Sequence, residues 1–505
     1  MATEGAFVAV GVAAAMGLLL SVLIEGLMRP RPAFFRPWAA WALHGGLWLL
    51  AHGALTLLLG RPWFAAASAS AFLLMLVLVN NAKYKALREP FVLPDFEYFT
   101  DAIRHPRLYI PFLGWVKFLL SALGFGAAVA LGLWGESVPD ERLTWPGQLG
   151  ALVVEAVLAV ALIIAGQRGR LRVDFDAERD VSTLGLLASL WRYAAESRTL
   201  PAVGLPDAVP AVPFAREDLP HLVAVQSESF FDVRDLFAGI RPQILAAFDQ
   251  LKAEALSHGK LEVPAWGANT VRSEFAFLSG LGEADLGVHR FNPYRAIAKG
   301  WEVASLARVL RQLGYRTVAI HPYPASFYLR DRVYPRLGFD EFLDIESFAD
   351  AQRAGPYVGD LEVARKVDEI VGRADGPVFV FAVTMENHGP LHLEKVAAGD
   401  EAGLYGSEPP AGCEDLTIYL RHVRNADRMM HALRTTLQAC SRRAELCWYG
   451  DHVPIMPRVY EVLGTPSGEV DYFLWSSRLK REDQPARNTA ASALANLWLR
   501  QAGLR

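Results

Sequence analysis

Residues 221–228 read HLVAVQSE, a short apolar run that ends in polar and acidic side chains. The same form recurs at three later places, residues 316–320, 378–383 and 445–449. Short apolar runs of this kind are typical of strands that are buried on both faces of a parallel sheet. Amphipathic stretches typical of helices lie between and around them, at 243–257, 303–313, 361–371, 416–437 and 489–501. The pattern predicts an α/β domain over residues 219–505 with a mainly parallel central sheet.

The first 167 residues have a different composition. Five segments there are almost free of charge, at residues 6–28, 38–59, 63–79, 112–134 and 148–165. Each is close to the roughly 20 residues that a helix needs to cross a bilayer, and soluble cores rarely use five such segments in succession. The sequence therefore predicts a membrane helical bundle of about five transmembrane helices over 1–167. A helical and proline-bearing linker is predicted over 168–218.

The global charge excludes one class of partner. The chain has 50 Lys and Arg against 54 Asp and Glu, a formal net charge of −4. Apolar types make up 52% of its 505 residues, so the chain is not predominantly disordered. A protein without a net basic charge is not expected to bind nucleic acid.

Polar side chains follow three of the predicted strands. Glu228 follows the first, the sequence from Thr384 to His388 follows the strand near residue 380, and Asp451 and His452 follow the strand near residue 447. The carboxyl ends of parallel strands meet at one edge of a sheet, where ligands gather. A Glu, an Asp and a His that converge there form an oxygen and nitrogen set that suits Zn²⁺ or Mn²⁺, with room for a fourth ligand. Taken singly, each residue is more simply a capping Asp, a surface His or a solvated Glu.

Thr270 follows a glycine-bearing turn and begins a predicted helix. A helix start favours a phosphate or an alkoxide, because its free N–H groups and its dipole are positive. The simpler interpretation is that Thr270 caps the helix. If a metal ion lowered the pKa of its hydroxyl, Thr270 would become a nucleophile.

Five motifs occur in an order that resembles the lipoteichoic acid synthases and the related phosphoglycerol transferases of the alkaline phosphatase/sulfatase superfamily. They are Glu228, the Asn-Thr-x-x-Ser-Glu-Phe segment around Thr270, His321-Pro322 with the following 327–331, the Asn-His-Gly-Pro turn at 387–390, and the Tyr-Gly-Asp-His turn at 449–452. The resemblance extends from Leu219 to the end of the chain. It implies a sulfatase-like fold for the α/β domain.

The resemblance also implies roles for individual residues. Thr270 would be the nucleophile, and Thr270, Glu228, Asp451 and His452 would hold one divalent ion, Mn²⁺ in the synthases, with Zn²⁺ as the alternative. Arg330 and His388 would bind the phosphoglycerol head group, His388 would also move a proton, and His321 would lie nearby. The family's Trp-Asn-Arg-Asp run reads here as Tyr328-Leu329-Arg330-Asp331, so Tyr328 would supply the aromatic wall while one polar contact is lost.

The implied activity is transfer of glycerol phosphate from phosphatidylglycerol, through a covalent threonine intermediate, to a glycan or a poly(glycerol phosphate) acceptor. Two alternatives stay open within the enzyme class, a phosphoethanolamine transferase and a sulfatase or phosphatase. A catalytically silent membrane protein that binds lipid or glycan is the alternative from another class.

The loop charges and the family resemblance predict opposite sides of the membrane for the catalytic domain. With five crossings, the Arg-bearing loops 29–37 and 82–110 and the stretch after residue 167 lie on one side, which the positive-inside rule assigns to the cytoplasm. Members of the family that the motifs resemble place the catalytic domain outside the cytoplasmic membrane. Because long domains translocate largely regardless of flanking charge, we expect an extracytoplasmic, periplasmic catalytic domain.

Overall fold

The computed structural model describes residues 2–97, 115–136, 141–201, 217–479 and 485–505. The chain forms two compact units, Met1–Thr199 and Leu200–Arg505. Most of the proline-bearing connector predicted after residue 200 lies outside the described residues.

The first unit is helical. Its described helices are α1 Ala2–Glu25, α2 Trp38–Leu59, α3 Pro62–Leu87, α4 Trp115–Gly135, α5 Glu141–Arg168, α6 Ala177–Leu184 and α7 Leu186–Glu196. By length and composition, four spans are sufficient to cross a membrane, namely Glu4–Glu25, Trp38–Leu59, Pro62–Leu87 and Pro146–Arg168. Helix α4 corresponds to the remaining predicted segment, whose first residues, 112–114, lie outside the described part of the chain. The length and apolar composition of the four spans mark the chain as a membrane protein.

Two buried carboxylates in this unit, Glu155 and Glu25, have side-chain partners. His52 Nδ1 on α2 lies 2.8 Å from Glu155 Oε1 on α5. Glu25 at the end of α1 binds Arg36, and its Oε1 accepts a hydrogen bond from the Leu186 N–H at 2.7 Å. Ionisable groups within membrane helices are expensive unless they are paired, so these contacts hold α2 on α5 and α7 on the end of α1.

The second unit contains an eight-stranded sheet. Its strands are β1 His221–Ser227, β2 Ser257–Glu262, β3 Arg316–Ile320, β4 Glu341–Leu343, β7 Val378–Val383, β8 Ala444–Gly450, β9 Val470–Ser476 and β10 Thr489–Ala490. Their order in the sheet is β10-β2-β9-β8-β1-β7-β3-β4. Every neighbouring pair is parallel except for β9, which runs antiparallel to β8 and β2. The predicted architecture, apolar helices followed by an α/β domain with a mainly parallel sheet, is confirmed.

Helices and one small hairpin complete this unit. The helices are α8 Ala246–Glu254, α9 Thr270–Ser279, α10 Pro293–Ala298, α11 Leu306–Gln312, α12 Arg330–Leu337, α13 Asp360–Gly372, α14 Asp400–Leu404, α15 Glu414–Ala439, α16 Pro457–Leu463 and α17 Ala491–Gln501. The hairpin pairs β5 Arg353–Ala354 with β6 Tyr357–Val358. Every residue of β1, β7 and β8 is buried, which explains why these strands read as continuous apolar runs.

The three central strands end side by side. In the parallel register Ser227 lies opposite Gly450, and Gln226 lies opposite Val383. A Cβ atom at Gly450 would lie 1.9 Å from the Phe230 carbonyl oxygen, so only glycine allows the chain after β1 to approach β8 this closely. The residues that follow β1, β7 and β8 are therefore brought together at one edge of the sheet.

Candidate active site

Glu228, Asp451 and His452 converge at this edge. One potential ligand atom from each lies within 4.8 Å of the other two, and all three side chains are buried. His452 Nε2 is 3.3 Å from Asp451 Oδ2 and 3.7 Å from Glu228 Oε1. Asp451 Oδ2 and His452 Nε2 have no hydrogen-bond partner in the part of the chain that the structure describes. Buried polar atoms are normally satisfied, so these two orphaned atoms mark a place for a ligand.

The electrostatics of the cluster fit a cation. Burial raises the pKa of Glu228 to about 8, and the Asp451 carboxylate acts in the same direction. Two carboxylates buried together repel each other, and a divalent ion between them removes this cost. A set of two carboxylates and one imidazole suits Zn²⁺ or Mn²⁺. The three residues therefore fit the metal site that the sequence analysis predicts.

The turns that carry these ligands hold each other in place. The Ser229 N–H donates to Asp451 Oδ1 at 2.7 Å, and the Ser229 hydroxyl donates to Glu228 Oε1 at 2.8 Å. The Glu228 N–H donates to the Thr384 hydroxyl at 3.0 Å. Ser229 has a φ of 52°, a left-handed conformation that is uncommon outside glycine and that clusters at functional sites. These contacts fix both carboxylates before any ligand binds.

Thr270 is the first residue of α9, and this helix begins against the ligand turns. The Thr270 carbonyl accepts a hydrogen bond from Gln226 Nε2 at 3.4 Å, and the Ser273 hydroxyl donates to the Asp451 carbonyl at 2.6 Å. The preceding residue, Asn269, has a φ of 66° and is the one that occupies the N-cap position. Thr270 is thus inside the helix rather than at its cap, so the capping interpretation does not apply. The first turn of α9 is tied to the ends of β1 and β8.

Arg330 lies fully buried and is paired with Glu274, the Glu of the Asn-Thr-x-x-Ser-Glu-Phe segment, to which the sequence analysis gave no role. Its Nη2 and Nε donate to Glu274 at 2.8 and 3.3 Å, and both side chains have no exposed area. Glu274 also accepts hydrogen bonds at 2.5 Å from the hydroxyls of Tyr294 and Tyr334. Glu274 is four residues after Thr270, on the same helix. Arg330 lowers the pKa of Glu228, so the positive charge of Arg330 acts on the cluster.

The two predicted histidines are neutral and share one tautomer. Burial lowers the pKa of His321 well below its usual value, and burial also lowers the pKa of His388. His321 Nδ1 lies 3.1 Å from the Val383 carbonyl and His388 Nδ1 lies 2.7 Å from the Gly389 carbonyl. A carbonyl only accepts, so each Nδ1 carries the proton and each Nε2 carries a lone pair. The Asp451 carboxylate opposes the pKa shift of His388, which puts this ring within electrostatic reach of the cluster.

Aromatic rings form one side of the site. The centre of the Tyr328 ring lies 4.3 Å from the centre of the Phe327 ring. The Arg330 guanidinium lies 5.4 Å from the centre of the Tyr328 ring. Tyr328 and Leu329 both have left-handed φ angles, of 56° and 58°. The predicted aromatic wall at Tyr328 therefore stands next to Arg330. Two further tyrosines, Tyr323 and Tyr357, contact the histidines, and the sequence analysis did not identify them.

A buried ion network supports the turn that carries His388. His422 on α15 places Nδ1 2.9 Å from Glu386 Oε1 and Nε2 3.0 Å from Glu394 Oε1. Glu386 also accepts hydrogen bonds from the Asp360 N–H and from Asn425 Nδ2. Burial alone would lower the pKa of His422, but the hydrogen bonds to Glu386 and Glu394 raise it to about 9. A charged His422 thus anchors the segment just before His388.

This network predicts a pH dependence of stability. A raised pKa means that the stabilisation is complete below the unfolded value of about 6.5 and is lost as pH rises through about 9. The effect is on the order of 1–3 kcal/mol, and His422→Gln should abolish this part of the pH profile. Thermal unfolding of the full chain between pH 6 and pH 9.5 measures it. His431→Gln, at an exposed position of the same helix, is the control and should keep the wild-type profile.

Comparison with known proteins identifies the family. A model of the sulfatase family matches residues 220–504, which is more than half of the chain. The chain belongs to the sulfatase family. This confirms the superfamily that the motifs indicate.

The relatives of this sulfatase-family chain include two proteins of Rhizobium meliloti (strain 1021). The capsular polysaccharide biosynthesis protein RkpI is 27% identical over 451 residues, which covers 82% of this chain and 77% of RkpI. A putative cyclic beta-1,2-glucan modification protein is 29% identical over 250 residues, 49% of this chain and 38% of that protein.

Among solved structures, the lipooligosaccharide phosphoethanolamine transferase A (EptA) from Neisseria meningitidis is similar with a TM-score of 0.56 and 14% identity. The match covers 93% of this chain and 88% of EptA. It shows that the sulfatase-family chain shares a fold with an integral membrane protein over almost its whole length.

Proposed function

We propose that the protein is a metal-dependent phosphoglycerol transferase that moves glycerol phosphate from phosphatidylglycerol to an acceptor hydroxyl. The observation that carries the proposal is the group of three buried potential ligands beside the first turn of the Thr270 helix. A divalent ion, Mn²⁺ or Zn²⁺, would be held by Glu228, Asp451 and His452 with Thr270 as the fourth ligand. Its chemistry would be to lower the pKa of the Thr270 hydroxyl and to offset phosphoryl charge as a Lewis acid.

The first half-reaction joins Thr270 to the head group. The Thr270 Oγ1 attacks phosphorus, and the bond from phosphorus to the diacylglycerol oxygen breaks. His388 enters the reaction neutral, because its pKa is lowered, and its Nε2 takes the hydroxyl proton from Thr270. The same proton then passes to the departing diacylglycerol oxygen. A phosphoglyceryl group remains on Thr270.

The second half-reaction repeats these steps with the acceptor. Its hydroxyl attacks phosphorus, His388 takes the proton, and the bond from phosphorus to Thr270 Oγ1 breaks. The proton returns to the threonine oxygen, so the enzyme ends as it began. Arg330 would orient the head group through its guanidinium N–H donors, and Tyr328 through its aromatic ring.

The neighbourhood of the head group favours glycerol over ethanolamine. An ammonium group is best bound by a carboxylate, and the two buried glutamates beside the predicted head-group residues are already paired, Glu274 with Arg330 and Glu386 with His422. His321, His388 and Tyr328 are neutral hydrogen-bonding groups, which suit the two hydroxyls of glycerol. We infer that the acceptor is a saccharide, in keeping with the names of the Rhizobium relatives. The catalytic unit would then lie outside the cytoplasmic (inner) membrane, where such acceptors are met.

One experiment tests the proposal directly. The purified full chain is incubated with head-group-labelled phosphatidylglycerol or phosphatidylethanolamine, and the peptide that contains Thr270 is examined by mass spectrometry. We expect a glycerol phosphate adduct on Thr270 from the first lipid, none after treatment with a chelator, and recovery with Mn²⁺ or Zn²⁺. An ethanolamine phosphate adduct on Thr270 would show that the donor lipid is phosphatidylethanolamine instead. An adduct that forms at the full rate in stripped protein would contradict the metal assignment.

A further inference from the structure

Two half-buried tyrosines, Tyr323 and Tyr357, stand beside the site without a part in the proposed reaction. Their ring centres are 6.5 Å apart and the ring planes are inclined by 60°. Tyr323 lies 6.2 Å from the His321 ring, and Tyr357 lies 5.6 Å from the His388 ring. The two residues, here called the tyrosine pair, therefore continue the wall that the histidines form.

Both rings are held on rigid backbone. Tyr323 lies between two prolines, Pro322 and Pro324, and its N–H donates to the His321 carbonyl at 2.7 Å. Tyr357 follows Pro356 in the β5–β6 hairpin, and its hydroxyl donates to the Gly389 carbonyl at 3.3 Å. Each proline has a fixed φ, so the backbone that carries the two rings is already ordered before a ligand binds. Preorganised aromatic rings at the rim of a reactive site are well suited to substrate binding.

The charges around the tyrosine pair favour a neutral ligand. The buried cation on this side, Arg330, is offset by Glu274, and lowered pKa values keep His321 and His388 neutral. Arg353 on the hairpin is exposed, and its Nη1 donates to the Pro356 carbonyl at 2.9 Å. A polyanionic acceptor such as poly(glycerol phosphate) would require several available cations. The tyrosine pair instead offers ring faces and hydroxyl groups.

We propose that the tyrosine pair binds a pyranose ring of a neutral acceptor glycan. The proposal rests on the proposed function and names its acceptor class. The C–H face of a pyranose packs on an aromatic face, while its hydroxyls form hydrogen bonds at the polar edge of the tyrosines. Because the Tyr357 ring lies 5.6 Å from the His388 ring, a sugar bound there would have its hydroxyls close to His388.

The test compares three variants with wild type, Tyr357→Leu, Tyr357→Phe and Arg353→Gln. Each full-length protein receives head-group-labelled phosphatidylglycerol and one of two acceptor probes, a mixture of neutral β-linked glucan oligosaccharides or a glycerol phosphate oligomer. We expect wild type to label the glucans and Tyr357→Leu to raise their KM roughly tenfold. Tyr357→Phe keeps the ring face and should stay within a few-fold of wild type, and Arg353→Gln should match wild type.

The rate of adduct formation on Thr270 separates the possible failures. We expect Tyr357→Leu to form the adduct at the wild-type rate, which also shows that the variant is folded. A slower adduct would assign the pair to the lipid donor and overturn the proposal. An unchanged glucan KM in Tyr357→Leu, transfer only to the glycerol phosphate oligomer, or transfer to neither probe would also overturn it. Absence of the adduct in wild type would instead be a failure of the proposed function.

Discussion

Replacement of Thr270 by alanine should abolish transfer and leave the protein folded. Removal of an attacking hydroxyl takes away the nucleophile, so the rate should fall by a factor on the order of 10³ or more. Loss of one hydroxyl from the start of α9 should change the free energy of unfolding by roughly 1 kcal/mol or less. Release of diacylglycerol from labelled phosphatidylglycerol and the thermal unfolding of the full chain measure the two quantities.

A second substitution and a metal-binding measurement test whether the lost activity is due to the missing nucleophile. Thr270→Ser keeps a hydroxyl at the same place and should retain measurable transfer. Thr270→Ala keeps Glu228, Asp451 and His452, so it should still bind Mn²⁺ or Zn²⁺, although more weakly. Full activity in Thr270→Ala would remove this residue from the mechanism.

Among the single substitutions considered, loss of Glu274 should lower the free energy of unfolding the most. Glu274→Ala leaves the Arg330 charge buried without its partner and takes the acceptor from the Tyr294 and Tyr334 hydroxyls. Breaking a buried ion pair from one side costs about 3–5 kcal/mol, because the remaining charge stays desolvated. The cost is a large share of the 5–15 kcal/mol that is typical of folded domains. Thermal or denaturant unfolding of the full chain gives the value.

A second variant separates stability from activity. Replacement of the whole pair, Glu274→Leu with Arg330→Met, leaves no unpaired charge, so its loss should be smaller than the sum of the two single losses. If Arg330 binds the head group, this double variant should stay inactive although its stability has partly recovered. A double variant with wild-type transfer would show that Arg330 serves only the fold, and additive losses would show that the pair is not coupled.

The strands that bear the ligands could be located from the sequence. Strands β2 and β4 and the residues that surround the ligands could not. Strands β1, β3, β7 and β8 are buried on both faces, so their apolar runs could be recognised from local composition alone. Strand β2 is predominantly polar in sequence, and β4 has three residues, so neither has a pattern long enough to detect. Asp451 and His452 were predicted because a strand end is a local feature.

The roles that the sequence did not reveal depend on distant partners. Glu274 is fully buried, whereas glutamate is almost always exposed unless it is paired, and its partners Tyr294, Arg330 and Tyr334 lie 20, 56 and 60 residues away. Tyr357 stands on a hairpin whose strands have two residues each, too short for any periodicity. Such contacts follow from tertiary packing and have no local signature.

The order of the strands in the sheet determines when the reactive centre can exist. Ser229 and Asp451, whose hydrogen bond joins the two ligand turns, are separated by 222 residues. Strand β1 lies between β7 and β8, so it has no partner for its edges until most of the chain has been synthesised. Pairing of such remote segments makes folding slow and leaves an apolar strand open to misassembly in the meantime. A nascent chain that ends before β8 has made most of its strands but has no centre at which to react.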